Sequence, residues 1–276
     1  MYNNPITQRN LEGLRSLGYH IMDPAEGWLA CGITGVGRLP EPEAIVDWLE
    51  AKMCSTNELE GTTILVTAGG TQESIDPVRY IGNRSSGKMG YAIAEQAAHM
   101  GAKVILVSAP TSLPIPSGVD FISVDSAVSM QEAVEARYND VNVVIMAAAV
   151  SDFRVLHKAE QKIKKMESMT IELVKNPDIL QGLGSKKSHQ ILVGFAAETE
   201  HVIKYGQDKV AKKNLDMLVA NDVSKSNAGF NVDTNEGYFL YPDKEPKEMP
   251  NMKKSDLARH ILREVIDLVA NKANIN

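Results

Sequence analysis

Cysteine is scarce in this chain. Cys31 and Cys54 are the two among 276 residues, too few for a disulfide framework and without the spacing of a zinc finger. A reducing, cytoplasmic setting is the expectation. No apolar run reaches the roughly 18 residues that a membrane-spanning helix needs. The opening, MYNNPITQRN, has neither the basic start nor the apolar core of a signal peptide. Positive charge is in deficit, with a net charge of −6, which argues against nucleic acid as the main partner. The six histidines show no metal-ligand cluster, and neither a Ser-His-Asp nor a Cys-His constellation is evident. Internal repeats and low-complexity segments are missing too. What is present is ordinary for a globular protein: 43% hydrophobic and 23% charged residues, in a length that can hold one large domain, or one domain plus a smaller piece.

The large domain is organised around residues 64–90, ILVTAGGTQESIDPVRYIGNRSSGKMG. Ile64, Leu65 and Val66 read as a buried strand. Gly69 and Gly70 follow, residues that permit positive φ and close backbone approach. Ser85 or Ser86 is placed to cap a helix over 87–100, whose first amides would be free. A helix N-terminus beyond the carboxyl end of a parallel strand is an anion site, so Gly70, Ser85, Ser86, Gly87 and Lys88 are candidate substrate-binding residues. Two standard phosphate fingerprints are lacking. The glycines are not clustered as in a dinucleotide site, and Lys88 is followed by Met89 where a P-loop has Ser or Thr.

Strand and helix patterns alternate onward. Strands are expected at 62–67, 104–107, 121–124, 141–146, 169–174, 191–195 and 217–220, and helices at 87–100, 129–138, 177–183, 199–212 and 255–268. A hairpin is expected near 238–241. This predicts a doubly wound, Rossmann-like α/β fold, a mostly parallel sheet with helices on both faces. Before it, helices at 7–18 and 43–53 and a short strand at 19–22 form an N-terminal arm, too small to bury a core alone. Residues 54–61, CSTNELEG, read as the linker, and the main domain runs over 62–276.

Several loops carry chemistry. Met146, Ala147 and Ala148 end a strand, where small residues admit a flat ring. Asp152 follows, a carboxylate suited to a hard cation or to a helix N-cap. Lys162-Ile163-Lys164-Lys165 is a basic loop in an acidic protein; lysines there suit phosphate oxygens. Pro177 suits a first helical position, with Asp178, Ile179 and Leu180 behind it. Phe195 is available to stack on a base or to fill core. Lys209 and Lys213 lie four apart on one helix face. Arg79 can contact a phosphate or carboxylate in bidentate fashion, and Asn83 offers two donors.

The string GGTxxxIDPVRxIxNxSSGxMG, over 69–90, closely resembles the synthetase domain of bacterial bifunctional phosphopantothenoylcysteine decarboxylase/phosphopantothenate–cysteine ligases, and the likeness extends over nearly all of 62–272. The resemblance implies a CTP-dependent ligase of coenzyme A biosynthesis that joins phosphopantothenate to cysteine through an acyl-cytidylate, with Mg2+. It implies that the nucleotide is bound by Met146, Ala147, Ala148, Asp152, Lys162, Pro177, Asp178, Ile179, Leu180, Phe195, Lys209 and Lys213, with Asp152 near the metal. Lys162 matches the lysine needed to form the intermediate. Asn83 matches the asparagine needed to consume it, and Arg79 is expected at the same substrate end. The segment 212–221 fits a stretch associated with homodimers. CTP rather than ATP rests on the bacterial character of the fusion.

The stretch ACGITGVGRLPEPEAI resembles the end of the flavin-dependent decarboxylase domain, so that residues 1–53 read as its C-terminal remnant. Cys31 then matches that domain's proton-donating cysteine. The upstream FMN-binding strands and active-site histidine are not in these 276 residues, so decarboxylase activity is not expected from this chain. Whether Met1 is the native start is open. Two other readings stand beside the ligase. A nicotinamide-dependent oxidoreductase is disfavoured because the second strand ends Ser108-Ala109 without an acid for the ribose; Tyr205 and Lys209 do fit its YxxxK pair. A non-catalytic fragment of the bifunctional enzyme is the other.

Overall fold

The computed structural model describes residues 1–53, 56–165, 167–198, 200–222 and 234–273. The chain divides into two compact units, Met1–Ser55 and Thr56–Asn276.

The first unit holds α1 (Pro5–Ser16), β1 (Ala25–Trp28), β2 (Thr34–Arg38) and α2 (Pro42–Met53). Asn4 caps α1 by accepting the Ile6 amide at 2.9 Å. The strand expected at 19–22 is not formed. Strand pairing goes instead to β1 and β2, which turn back on each other through Gly32 at φ +83°, a conformation glycine enters without penalty. None of this unit's described side chains is buried, as expected of a piece too small to enclose a core.

The second unit continues with β3 (Thr63–Ala68), β4 (Gln72–Ser74), β5 (Tyr80–Gly82), α3 (Lys88–His99), β6 (Lys103–Ser108), β7 (Val119–Ser123), α4 (Ala127–Glu135), β8 (Val143–Met146), β9 (Phe153–Val155), β10 (Leu173–Lys175), α5 (Ile179–Ser185), β11 (Ile191–Glu198), α6 (Val202–Lys212), β12 (Met217–Asp222), β13 (Thr234–Leu240), β14 (Lys247–Lys253) and α7 (Lys254–Ala273). Eight strands form one sheet in the order β14-β13-β12-β11-β8-β3-β6-β7. From β12 to β7 the pairs are parallel, and β13 and β14 close one edge antiparallel. The chain winds outward from β3 through β6 and β7, then returns to β8 on β3's other side. The topological switch therefore lies between β3 and β8, where open α/β sheets bind ligands.

Burial explains the three layers. Along β3, Ile64 and Val66 face one side with Ile93 of α3 and Leu257, Ile261 and Val265 of α7. Leu65 faces the other, with Met130 and Val134 of α4, Leu183 of α5 and Val210 of α6. Period-2 alternation with both faces apolar is what a covered parallel sheet requires. Each such aliphatic side chain contributes about 1.5–3 kcal/mol of burial free energy.

Local details differ from the sequence expectations. Neither Ser85 nor Ser86 caps α3. Gly87 does, at φ +77° and without a side-chain bond. A Cβ on Gly87 would lie 2.6 Å from Thr111 Cγ2, so shape and backbone both demand glycine. Asp152 caps no helix, because β9 follows it. Pro177 precedes α5 rather than opening it, since Asp178 is the cap and accepts the Gln181 amide at 3.0 Å. The strand expected at 169–174 shortens to β10, paired with β9. The hairpin expected near 238–241 is formed by β13 and β14, consecutive antiparallel strands, with Tyr238 to Leu240 closing the first of them. The expected helix start at Thr199 lies outside the described residues, as does Cys54.

Candidate active site

The site is built where β3, β8 and β11 end. Pairing between β3 and β8 does not stop with the strands. The Ala149 amide donates to the Gly69 carbonyl at 2.8 Å, and the Thr71 amide to the Ala149 carbonyl at 3.2 Å, making a parallel bridge between Gly70 and Ala149. Side chains reinforce this seam. Thr67 Oγ1 accepts the Ala148 amide at 3.1 Å and Thr71 Oγ1 accepts the Ser151 amide at 3.0 Å. A Cβ on Gly70 would lie 2.8 Å from the Asn83 carbonyl oxygen, so glycine there lets the loop before α3 close on the seam.

Two adjoining cavities open beside it. The larger, of about 360 Å3, is walled by Asn83 and the start of α3 (Ser85, Ser86, Gly87, Lys88), by the loop after β8, by Phe195–Ala197, and by Lys209, Asn221, Asn235 and Lys254. The smaller, of about 310 Å3, is walled by Met146, Ser151, the β10–α5 turn from Lys175 to Leu180, and Lys213. Ala148, Val150, Asp152 and Phe195 line both. Sequence candidates thus converge in two groups. Asn83, Ser85, Ser86, Gly87, Lys88, Ala147 and Lys209 face the first cavity. Met146, Pro177, Asp178, Ile179, Leu180 and Lys213 face the second.

Three of the ligase candidates line neither cavity. Gly70 forms the seam. Arg79 and Lys162 sit on loops that hold each other: Arg79 Nη2 donates to the Ile163 carbonyl at 2.7 Å. Tyr205, which the dehydrogenase-like pair would need beside Lys209, is 44% exposed and lines neither cavity. Cys31 lies in the other unit as an exposed free thiol. In the segment 212–221, β12 is paired on both edges and Met217 to Ala220 are buried within the unit, which leaves Lys212 and Asn214 exposed.

Polar bonds fix the walls. Asn83 Nδ2 donates to the Val150 carbonyl at 3.2 Å. Buried Asn176 donates to the Ser151 carbonyl at 2.8 Å, and its amide to the Asp152 carbonyl at 2.8 Å. Lys213 lies 2.9 Å from Asp178. Burial alone would raise the Asp178 pKa; Lys213, the Gln181 amide and Lys175 outweigh it and hold it below its ordinary value. Two buried oxygens in the walls, Ser151 Oγ and Asn221 Oδ1, have no hydrogen-bond partner among the described residues, as expected of groups that meet a polar ligand or water.

Among the described residues no three His, Cys, Asp or Glu side chains cluster as a metal site. Asp152 alone still fits Mg2+, which is commonly held by one or two carboxylates plus substrate phosphates. Among the described residues no helix is long and apolar enough to cross a membrane.

Lys254 and Asn235 were not singled out from sequence. Lys254, at the start of α7, is 8% exposed and lines the larger cavity. A lysine opening an amphipathic helix carries no signal of burial. Asn235 did carry one: it holds an inward position on β13, in step with Gly237 and Phe239, where an apolar residue is the norm.

Comparison with known proteins agrees with this architecture. The chain is 47% identical over 272 residues to the coenzyme A biosynthesis bifunctional protein CoaBC of Bacillus subtilis, covering 97% of this chain and 67% of that protein. It is 45% identical over 271 residues to the CoaBC of Escherichia coli strain K12, covering 96% and 66%. The chain thus spans about two thirds of these relatives' length. A crystal structure of the C-terminal domain of a CoaBC superposes with a TM-score of 0.68 at 44% identity, over 78% of this chain and 100% of that one. Residues 1–54 match the Flavoprotein family. Residues 59–269 match the DNA/pantothenate metabolism flavoprotein C-terminal domain, and the chain belongs to that family.

Proposed function

We propose that the second unit is a phosphopantothenate–cysteine ligase acting in coenzyme A biosynthesis and using CTP. The observation that carries this is the pair of adjoining cavities sharing Asp152 and Phe195. A ligase of this kind must hold two anionic substrates with one reacting atom of each at a common boundary. Relatives named for coenzyme A biosynthesis support the reading.

In this reading the nucleotide occupies the smaller cavity, its base against Phe195 and the β10–α5 turn, its phosphates towards Lys213. Phosphopantothenate occupies the larger, with an anionic group at the N-terminal turn of α3. A carboxylate oxygen of phosphopantothenate forms a bond to the α-phosphorus of CTP, and the bond to pyrophosphate breaks. The cysteine amine then bonds to the acyl carbon, CMP leaves with the former carboxylate oxygen, and the amine gives up a proton. Asn83, facing the cavity, donates to the acyl oxygen as negative charge gathers there. Asp152 would hold Mg2+, which would supply charge neutralisation for the phosphates. The enzyme's share is positioning and electrostatics, with no protein nucleophile.

A homodimer is proposed through the exposed N-terminal end of the 212–221 segment, at Lys212 and Asn214. FMN and decarboxylation are assigned to flavoprotein elements beyond residues 1–54, with the Cys31 thiol as their proton donor; flavin absorbance or decarboxylation by this chain alone would overturn that division.

The test is pyrophosphate release from phosphopantothenate with Mg-CTP, with and without cysteine, and with ATP in parallel. Sustained release requiring cysteine and CTP is expected. Release with ATP alone would overturn the nucleotide assignment. No release from folded protein would favour a non-catalytic role.

A further inference from the structure

The basic loop 162–165 is held by a carboxylate far from it in sequence. Asp76 lies in the turn between β4 and β5 and is 1% exposed. Its Oδ1 accepts the amides of Val78 and Arg79, each at 2.8 Å. An aspartate closing its own turn needs no more than that. The second oxygen, Oδ2, accepts the amide of Ile163 at 3.1 Å, 87 residues away. Arg79 Nε lies 3.6 Å from Oδ2, and the same guanidinium donates through Nη2 to the Ile163 carbonyl at 2.7 Å. The Ile163 residue is therefore gripped at both its N–H and its C=O, between Lys162 and Lys164. A second tie lies three residues before Lys162, where the Ala159 amide donates to the Ile75 carbonyl at 2.9 Å.

Burying a carboxylate is costly unless every lone pair is used. Burial pushes the Asp76 pKa up, and the three amides with Arg79 outweigh it and hold it down. The charge is thus present at neutral pH. The turn that carries it runs through β5 into Asn83, in the wall of the larger cavity.

We propose that Asp76 is a positioning residue. Acting with Arg79, it clamps the basic loop at Ile163 and holds the flanking lysines in register with Asn83 for the anionic co-substrate. The inference rests on the ligase reading for what the lysines meet, and on geometry alone for the clamp.

The test uses the whole 276-residue chain and Asp76→Asn. Asparagine can still cap the turn through its oxygen, but its NH2 would oppose the Ile163 N–H and the guanidinium. The clamp predicts that the Ile163 amide exchanges with solvent at least about tenfold faster in the folded variant, while core amides on β3 and β8 keep their protection. It also predicts that pyrophosphate release without cysteine slows by about a hundredfold, the order expected when a reacting group is displaced by about 1 Å. Unchanged Ile163 exchange in folded Asp76→Asn would overturn the clamp. Faster exchange with unchanged pyrophosphate release would overturn the positioning role. Protection lost in the variant, with a wild-type chain that releases no pyrophosphate, would sustain the clamp and overturn the ligase reading alone. If Asp76→Asn does not fold, Arg79→Met removes the bond to the Ile163 carbonyl while leaving the Asp76 turn intact, and the same exchange comparison decides.

Discussion

Lys213 and Asp178 form an ion pair in the lining of the smaller cavity, with Nζ 2.9 Å from Oδ2. One end of the pair closes α6 and the other opens α5, so a single contact ties two helices to the cavity. Asp178 Oδ1 accepts both the Gln181 amide at 3.0 Å and Lys213 Nζ at 3.1 Å. Without a ligand the aspartate satisfies the lysine. With a triphosphate present, the lysine has a second anion to meet.

Lys213→Ala is accordingly expected to raise KM for CTP by about 10- to 100-fold, the loss of one charge-assisted hydrogen bond. The change in kcat should be smaller. Initial rates over a CTP series check this, and an unchanged KM would remove Lys213 from the nucleotide site.

The same pair gives stability a dependence on pH. The Asp178 pKa is lowered in the folded protein below its ordinary 3.8. Its contribution is therefore fully present above that ordinary value, and is lost as pH falls through the lower folded one. Asp178→Asn keeps the cap and removes the charge. The wild-type advantage in urea unfolding should stay within about 1 kcal/mol at pH 6, because the pair is partly exposed and screened. It should shrink as pH falls below the ordinary 3.8 of an aspartate. An advantage that grew in acid would contradict the assignment.

Gly90 on α3 is buried against β3, where a Cβ would lie 2.6 Å from Ala68 Cβ and 2.8 Å from the Thr67 carbonyl oxygen. Alanine normally favours a helix, yet Gly90→Ala is expected to destabilise by about 1–3 kcal/mol, because the helix must lift from the sheet. Chemical denaturation measures it. The same shift displaces the start of α3, so activity should fall further than stability explains.

Lys254 lies in the wall of the larger cavity. Lys254→Met conserves the stem and removes the charge. KM for phosphopantothenate should rise about tenfold or more while KM for CTP changes little. Equal effects on both would place Lys254 outside a substrate-specific role.

The broad plan was legible because parallel strands announce themselves: Ile64 to Val66 and Val143 to Ile145 are continuous apolar runs. The sequence reading also brought most of the cavity walls together: Asn83 and Asp152 stand in loops beyond strands, Phe195 lies within β11, and Lys213 caps the end of α6. Its misses share one physical cause. β4, β5, β9 and β10 are each three residues long, too short for any periodicity, and each is defined by its pairing with another short strand. Lys254 is buried by neighbours remote in sequence. At Gly87, the cap of α3, a Cβ would meet Thr111, a residue that local propensity cannot see.

The Gly70–Ala149 seam has a consequence for how the protein matures. It joins segments far apart in the chain, and nothing local holds it. Contacts of such long range tend to close slowly, after loop-closure entropy has been met. The β3–β8 register must be set before Gly69 can accept the Ala149 amide and bring both cavity walls to their final places. A chain that has formed its helices but not this pairing would have helical signal and no site. Recovery of activity on refolding should therefore lag behind recovery of helix, and the catalytic centre itself becomes the reporter of a completed fold.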